Sequence, residues 1–424
     1  MDVTTYPMTI GQLSVHRDVE RMPDARLWEA NLQPLVWDIK TPCTVEDVWT
    51  ALGALAERHE SLRTNYVFEA DGSPRQFLGA QDAEEVMARV ERGVADVSEL
   101  PALLLSKHQS VLDIYHGIPW RAWVFTEDGT PTKVLYVVHH MASDGAGALI
   151  MQDDFHSLLA GQTLPPPAGQ PIAMALDQQG AGAFRLRAAE RYWKRTLEAA
   201  PRLASREAGT PNEELIGVTM QTGIPLEAAH AGAEKLDVSM ATVVLAAYYH
   251  AVRTVLSRPA ILLTAISANR FDPSMAGVVT SLTQWAPMLF EFDGTQSFAG
   301  LAAKVHGKAL NAFKNSICDP DYVVNIREEY FEKADPPVDK GFSTNVILAP
   351  PGFAPAVEQV ARTVEFATPQ RAWGPGFYFI VSGIDRINVA VRCSRPDVDQ
   401  EKVAAILDVF QETLLSVAGL PAMG

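Results

Sequence analysis

A segment rich in proline and glycine divides this chain into two halves. It runs from residue 160 to 184 and reads AGQTLPPPAGQPIAMALDQQGAGAF. Proline fixes φ and lacks a backbone donor, and glycine is costly to order, so the segment opposes a continuous helix or strand. The chain has 424 residues, which is enough to bury two cores of ordinary size. We therefore expect two subdomains, residues 1–175 and residues 176–424.

The first half predicts helices and strands packed together. The stretch TVEDVWTALGALAERHE, residues 44–60, has the apolar spacing of a helix after a threonine at its start. The stretch RAWVFTEDGTPTKVLYVVHH, residues 121–140, contains two apolar runs joined by Asp-Gly, which is the signal of a β-hairpin. After it, DGAGALIMQDDFHSLL, residues 144–159, predicts another helix.

The second half repeats this mixture. Residues 238–257 predict a long, largely buried helix, residues 260–267 a strand and residues 297–313 an amphipathic helix. Residues 376–394 predict a hairpin, and residues 400–419 predict a last helix that stops at a glycine. Because the order lacks the strict alternation of a parallel Rossmann sheet, we predict an α/β (α+β layered) fold.

Composition and charge exclude several classes of function. The formal net charge is -16 and no long basic and aromatic stretch is present, which disfavours nucleic-acid binding. No signal sequence and no window of eighteen or so apolar residues is found, so we expect a cytoplasmic protein without a membrane segment. Cys43, Cys318 and Cys393 lie far apart and predict reduced packing residues, with no disulfide framework and no metal site.

Two adjacent histidines end an apolar run in YVVHHMASDGAGALI, residues 136–150. Successive strand residues point to opposite faces, so only one of His139 and His140 can face a given cavity. Asp144 could cap the next helix, orient an imidazole or pair with an arginine, and Gly145 leaves room beside the backbone. An imidazole can accept a proton near neutral pH, but a lone buried histidine is more often a hydrogen-bonded core residue. These residues alone leave both roles open.

Four stretches resemble the condensation domains of nonribosomal peptide synthetases, within the chloramphenicol-acetyltransferase-like superfamily. HHMASDG, residues 139–145, resembles the HHxxxDG signature, and AERHESLRTNY, residues 56–66, resembles the RHExLRT segment that contains Arg63. YPMTIGQ, residues 6–12, is similar to the opening Pro-Leu-Ser-x-x-Gln motif. Residues 244–270 resemble the helix and strand that end in Gly-Arg. The four stretches stand in the family's order over nearly the whole chain.

Two segments depart from the family pattern. Asn269-Arg270 stands where the family has Gly-Arg. TQWAPM, residues 283–288, stands where the family has Val-Asn-Thr-Leu-Pro, so that Gln284 replaces the asparagine and Trp285 lies beside it. These changes predict a reshaped acceptor pocket, with Gln284 and Trp285 as substrate contacts.

A polar interruption marks the apolar strand GFSTNVILAP, residues 341–350. The corresponding family strand brings an asparagine towards the active centre. The resemblance therefore implies substrate contacts at Ser343 and Asn345, against the alternative of hydrogen bonding at a strand edge.

The resemblance implies a fold and a set of roles. Each half would be a chloramphenicol-acetyltransferase-like subdomain, and the two would form a V-shaped pseudo-dimer with the active site in a central tunnel. His140 would be the catalytic residue, which accepts a proton from the nucleophile or holds it by a hydrogen bond. The supporting residues would be His139, Asp144, Gly145, Arg270 and Arg63, with an ion pair between Asp144 and Arg270.

The implied reaction is a condensation in natural-product or antibiotic biosynthesis. An amine or alcohol, either a small molecule or carrier-bound, would attack an acyl or aminoacyl thioester and form an amide or ester bond. The donor would arrive on the phosphopantetheine arm of a peptidyl or acyl carrier protein, with no cofactor bound to the enzyme. The chain shows no carrier serine motif and no ATP-binding loop, so activation is expected on another polypeptide or module.

Two alternatives remain to the hypothesis of a carrier-dependent condensation. One is a CoA-dependent acyltransferase of the same superfamily, which would need no carrier protein. The other is a non-catalytic condensation-like domain that recruits a partner enzyme, although the intact HHMASDG argues against it.

A local basic cluster offers a docking site for an acidic carrier protein. Its members are Arg185, Arg187, Arg191, Lys194, Arg195, Arg202 and Arg206. An acidic enzyme must bind an acidic partner through such a patch rather than through its overall charge. The alternative is an ordinary solvated helix face.

Overall fold

The computed structural model describes residues 4–180, 182–205, 214–291 and 297–422. The chain divides into two compact units: Met1–Leu186 with Ala268–Gln284, and Arg187–Ser267 with Trp285–Gly424. The predicted subdomain bounds stay a prediction, and they do not anticipate that the segment 268–284 joins the first unit. The segment 268–284 therefore belongs to the unit that carries the two histidines, and Arg270 and Ser281 lie within it.

The first unit contains two small sheets and the helices that pack on them. Its described strands are β1 (Tyr6–Pro7), β2 (Leu35–Asp38), β3 (Thr64–Phe68), β4 (Pro74–Leu78), β5 (Glu91–Asp96), β6 (Trp120–Glu127) and β7 (Thr130–Val138). Its described α-helices are α1 (Ile10–Val19), α2 (Val45–Arg58), α3 (Ala83–Arg89), α4 (Leu100–His108), α5 (Gly145–Leu159) and α6 (Pro171–Gln179). The strand orders are β1-β4-β3 and β2-β7-β6-β5.

The hairpin β6–β7 forms the centre of the four-stranded sheet. Its turn is Asp128-Gly129, and both residues have positive φ, as a tight hairpin turn requires. Tyr136 on β7 stacks between Trp37 and Trp120, with both ring-centroid distances at 4.9 Å. This buried aromatic layer fixes the strand whose end carries the two histidines.

The second unit is built on one seven-stranded mixed sheet. Its described strands are β8 (Ile216–Pro225), β9 (Ala260–Ser267), β10 (Gln284–Glu291), β11 (Phe342–Leu348), β12 (Thr363–Phe366), β13 (Phe377–Gly383) and β14 (Arg386–Cys393). The strand order is β10-β9-β11-β13-β14-β8-β12, in which β11 pairs in parallel with β9 and β13. The predicted hairpin between β13 and β14 is confirmed.

Helices cover this sheet. The described ones are α7 (Ala183–Ala199), α8 (Leu226–Lys235), α9 (Met240–Leu256), α11 (Phe298–Lys314), α12 (Pro320–Arg327) and α13 (Gln400–Ala418). The short helix α10 (Pro273–Ala276) belongs to the segment of the first unit and is not among them. Tyr248 on α9 is buried and stacks on Phe379 of β13 at 4.3 Å. The layering of helices on sheets in both units confirms the predicted α/β fold.

The dividing segment is more regular than predicted. Residues 171–179 form α6, and Pro171 stands at its start, where a missing N–H costs no helical hydrogen bond. No continuous helix or strand crosses the segment, as expected, because α5 ends at Leu159, α6 covers only Pro171–Gln179 and α7 begins at Ala183. The prolines and glycines lie between these helices or at their ends.

Two further properties concern membranes and thiols. Across the described ranges, no helix combines the length and the apolar character needed to span a membrane. Cys318 and Cys393 are buried, and burial raises the pKa of both thiols, that of Cys393 to about 11.

Candidate active site

The two histidines lie in the turn between β7 and α5. The backbone N–H of His139 donates to the Pro119 carbonyl at 2.9 Å, and that of His140 donates to the Ala30 carbonyl at 2.8 Å. Each histidine is thus attached through its main chain to a different part of the first unit. The turn is held rigidly, which gives the side chains fixed directions.

His139 is a buried residue whose side chain is used inside the protein. Only 3% of its surface is exposed, and its Nδ1 accepts a hydrogen bond from the Met141 N–H at 3.1 Å. Burial, with smaller contributions from His140 and His16, lowers its pKa to about 3. The ring is therefore neutral at physiological pH and carries its proton on Nε2.

His140 is half-buried and has a defined tautomer. Its Nδ1 lies 3.1 Å from the Ser143 carbonyl oxygen and 3.5 Å from the Ser281 hydroxyl. A carbonyl oxygen can only accept, so Nδ1 must carry the proton. The lone pair of the neutral ring then resides on Nε2, which can accept a proton or a hydrogen bond.

Asp144 is fully buried and has three hydrogen-bond donors. Oδ1 accepts from the Gly147 N–H at 2.9 Å and so caps α5. Oδ2 accepts from Nη1 of Arg270 at 2.8 Å and from the Leu282 N–H at 2.9 Å. The expected ion pair with Arg270 is present. The carboxylate joins the motif to the segment 268–284 instead of bonding to His140.

Arg270 extends this connection through the segment. Nη1 also donates to the Ala268 carbonyl at 3.1 Å, and Nη2 donates to the carbonyls of Val278 at 3.1 Å and Thr280 at 3.4 Å. The side chain is only 9% exposed. One guanidinium therefore organises the loop that brings Ser281 next to His140.

The two remaining supporting residues, Gly145 and Arg63, and the predicted substrate contact Gln284 lie elsewhere in the first unit. Gly145 is the first residue of α5. Arg63 donates through Nη1 to the carbonyls of Ala80 at 3.2 Å and Gln81 at 3.1 Å, so it fixes a neighbouring loop without contacting the histidines. Gln284 is buried at the start of β10.

The remaining predicted substrate contacts lie in the second unit. Ser343 is buried, and its hydroxyl is 2.7 Å from that of Thr264. Asn345 is half-buried and hydrogen-bonds the side chain of Tyr378 on β13. Trp285 meets the ring of Tyr378 edge to face, with centroids 5.8 Å apart. The structure therefore groups Asn345 and Trp285 around Tyr378.

The sequence of the chain matches a known protein family. The family model described as the condensation domain matches residues 22–349, which is more than half of the sequence. The chain belongs to the condensation-domain family. The histidine turn, the Asp144–Arg270 pair and the segment 268–284 therefore lie in a condensation domain.

One curated relative is a long synthetase. Surfactin synthase subunit 1 from Bacillus subtilis (strain 168) is 21% identical over 317 residues, which cover 73% of this chain but 9% of that protein. This condensation domain thus spans less than a tenth of the length of the relative.

Solved structures show the same fold. One is the condensation domain that mediates chain release from the enacyloxin polyketide synthase. It superposes with a TM-score of 0.77 at 18% identity, covering 100% of this chain and 84% of that one. The X-domain in complex with OxyB from teicoplanin biosynthesis gives a TM-score of 0.67 at 17% identity, covering 99% and 94%. These likenesses establish the fold of the condensation domain.

The departure at Asn269 preserves the backbone that a glycine would adopt. Asn269 has φ of 53°, which is the left-handed region that glycine and, among other residues, asparagine adopt most readily. Its side chain is buried and donates to the Leu282 carbonyl at 2.7 Å. The asparagine therefore supplies both the turn and an extra bond across the segment, so the condensation domain retains the geometry of this loop.

Two groups of interacting residues were missed by sequence reasoning. Tyr378 lies in the predicted hairpin of residues 376–394 but received no role, although a tyrosine between two phenylalanines in a strand signals a polar position on a buried sheet. His59 of the AERHESLRTNY stretch lies with Nε2 2.8 Å from Oδ2 of Asp154, which also accepts from Nε of Arg58 at 2.7 Å. Burial lowers the pKa of His59 in spite of the carboxylate. This cluster connects the end of α2 to α5, the helix that follows the histidine turn.

Proposed function

We propose that this condensation domain forms an amide or ester bond by acyl transfer from a carrier-bound thioester. The acyl donor is held on the phosphopantetheine arm of a peptidyl or acyl carrier protein, and the acceptor is an amine or an alcohol. The observation that supports this proposal best is the tautomer of His140, which leaves Nε2 as a proton acceptor on a rigid turn.

The chemistry follows from that nitrogen. The acceptor nitrogen or oxygen attacks the thioester carbonyl while its proton moves to Nε2 of His140. The tetrahedral intermediate collapses, the C–S bond breaks, and the imidazolium returns the proton to the departing thiolate. A new C–N or C–O bond has then formed, the pantetheine thiol is released, and His140 is neutral again.

Asp144 has an organising role in this mechanism. Its three donors leave it engaged with α5 and with the segment 268–284, so it acts on His140 by holding the turn and not as a member of a triad. As the imidazole becomes positive, the Ser143 carbonyl stabilises the charge through the Nδ1–H bond.

We assign substrate contacts to the second unit as part of the same proposal. Asn345 on β11 and Trp285 on β10 both contact Tyr378, and Ser343 lies two residues before Asn345 on β11. An amide, a hydroxyl and an aromatic edge suit an acceptor that has both polar and apolar parts. We also assign a substrate contact to Gln284 of the first unit, which stands where the family has asparagine.

A second candidate function is recruitment of a partner enzyme without catalysis. The likeness to the X-domain, whose structure is in complex with OxyB, favours it. The complete HHMASDG sequence and the prepared lone pair on His140 favour catalysis.

The deciding experiment is intact-protein mass spectrometry of acyl-loaded carrier proteins incubated with the enzyme and a panel of amines and alcohols. We expect His140→Ala to slow product formation by roughly two to four orders of magnitude. The matched control is His156→Ala, a half-buried histidine on α5 outside the turn, which should retain activity. Wild-type turnover in the His140→Ala variant would reject catalysis by this residue, and equal use of acyl-CoA would favour the carrier-independent alternative.

A further inference from the structure

Helix α7 exposes three arginines at helical spacing. Arg187, Arg191 and Arg195 are all exposed, and no ion pair within the described ranges engages any of them. Like charges four residues apart on a helix are unfavourable by about 0.2–0.5 kcal/mol per pair. At 1.5 Å per residue the row spans roughly 12 Å along the helix axis. This row, the α7 arginine row, does not stabilise the helix that carries it.

The rest of the basic cluster is engaged elsewhere. Lys194 lies 3.2 Å from the hydroxyl of Tyr330, and Arg202 lies over the ring of the same tyrosine at 5.6 Å. Arg185 packs over the neighbouring phenylalanine ring, and Arg206 lies outside the described residues. Among the described members of the predicted docking patch, the α7 arginine row is the part that makes no ion pair, side-chain hydrogen bond or ring contact within the protein.

A groove of about 330 Å³ runs beside the C-terminal half of α7, within the second unit. Tyr192 and Arg195 line it from α7, Met288 and Leu289 from β10, and Lys308 from α11. The floor is apolar, and the two cations stand on opposite helices. Among the described residues that line the groove, none is acidic. We call it the α7–α11 groove.

Helix α11 extends the positive charge on the other side. Lys304 and Lys308 are both exposed and four residues apart, and the sequence of α11 contains no carboxylate. Nζ of Lys308 donates to the Leu289 carbonyl at 2.7 Å, which fixes the ammonium at the groove. Leu310 on the same helix is 57% exposed. The groove is thus a basic surface with an apolar centre on an otherwise acidic chain.

We propose that the α7–α11 groove docks the carrier protein through an acidic helix, and this inference rests on the proposed function. Carboxylates of the carrier would face the α7 arginine row and Lys308, and an apolar side chain would enter between them. Charge complementarity argues for this partner, because a net charge of -16 repels an acidic protein from most of the surface. The same net charge makes a nucleic acid a poor occupant.

The test measures the affinity of fluorescently labelled, phosphopantetheinylated carrier domains for the whole chain. The variant is the double reversal Arg191→Glu with Arg195→Glu, and the matched control is Arg21→Glu with Lys235→Glu, two exposed cations that do not line the groove. We expect Kd to rise about tenfold or more in the variant and to stay within about twofold in the control. Lys308→Glu should weaken binding in the same direction, since it reverses charge on the opposite wall.

Two further measurements separate docking from catalysis and folding. Transfer from a small pantetheine thioester should be unchanged in the variant, because only the protein contact is lost. Rising salt should weaken binding of the wild type more than that of the variant. A carrier that binds but yields no product with any acceptor would overturn the proposed function and leave the docking site standing.

Several outcomes would overturn the docking site. These are wild-type affinity in the double reversal, an equal loss in the control, or no binding of any carrier domain by the wild type. A wild-type dimer that the reversal converts to monomers, measured by analytical ultracentrifugation, would identify a second copy of this chain as the occupant instead.

Discussion

Replacing Arg270 by alanine should destabilise the first unit by about 3 kcal/mol. The substitution removes one of three donors from a carboxylate that is 0% exposed. Breaking one side of a buried pair typically costs about 3–5 kcal/mol, because the remaining charge is uncompensated. The N–H groups of Gly147 and Leu282 stay within 2.9 Å of Asp144, which places the loss at the lower end.

Replacing Asp144 by alanine should cost more, about 4 kcal/mol. This change also removes the cap of α5, worth about 1 kcal/mol, and leaves the buried Leu282 N–H unpaired, worth about 1–3 kcal/mol. In this variant the guanidinium of Arg270 keeps its carbonyl acceptors and is 9% exposed, so leaving it without the carboxylate costs less than leaving the carboxylate without the arginine. The double variant should lose about 5 kcal/mol, less than the sum of the single losses, because both remove the same pair.

Urea unfolding followed by tryptophan fluorescence provides the assay, with the slope compared among variants to check that the same surface unfolds. Thermal scans should show a fall in Tm of roughly 6–12 °C for Arg270→Ala, at about 2–4 °C per kcal/mol for a unit of this size. Arg17→Ala breaks an exposed ion pair with Glu20 in the same unit and should cost less than about 1 kcal/mol.

Either of two results would contradict the coupling between Asp144 and Arg270. Single variants as stable as Arg17→Ala would show that Asp144 does not depend on its partner. A double variant whose loss equals the sum of the single losses would show that the two residues act independently, whatever their distance.

Three further outcomes are expected. Asn269→Ala should lower the free energy of unfolding by about 2 kcal/mol, and Asn269→Gly should lower it by less. Both variants lose the hydrogen bond to the Leu282 carbonyl, but only alanine is also strained by φ of 53°. Urea denaturation measures the difference between the two. The free energy of unfolding should fall as pH drops from 6.5 towards about 3, because His139 binds a proton in the unfolded chain but stays neutral when buried, where its pKa is lowered to about 3. His139→Asn should reduce this pH dependence, measured by urea titrations at a series of pH values. Tyr378→Phe should raise KM for the acceptor severalfold with little change in kcat or Tm, because it releases the amide of Asn345; an unchanged KM in steady-state assays would separate this pair from substrate binding.

The elements that could be predicted from the sequence are those that a few neighbouring residues decide. Asp128-Gly129 turns the β6–β7 hairpin with positive φ at both residues. Thr44 caps α2 through a reciprocal bond with Asp47, and Gly419 ends α13 at φ of 67°. In each case the physical cause lies within one turn of the chain, so no knowledge of the rest of the fold is needed.

The order of the seven-stranded sheet was beyond such reasoning. Strand β11 pairs with β9, which precedes it by the length of several elements, and with β13, which follows it. An apolar strand with Ser343 and Asn345 shows that one face is polar but not which strand will lie beside it. The contact between Asn345 and Tyr378 depends on that pairing, so it could not be anticipated.

The candidate site shows the same division. Family resemblance located His140, Asp144 and Arg270. The expectation that strand alternation separates the two histidines does not apply, because β7 ends at Val138 and both histidines lie in the turn that follows. The tautomer of His140 depends on the direction of the Ser143 carbonyl, which only a folded turn defines. The pairing of His59 with Asp154 likewise required the packing of α2 against α5.

The segment 268–284 has a consequence for the order in which the molecule can mature on the ribosome. The main part of the first unit ends at Leu186, but the guanidinium that neutralises Asp144 is made only later, and the segment is complete at Gln284. At about 5–20 residues per second, translation of the intervening roughly 100 residues takes about 5–20 s. During that interval the nascent histidine turn holds a carboxylate without its arginine. A polypeptide truncated after Leu186 would remain in this condition permanently, so the first half of the gene should not yield a stable protein by itself.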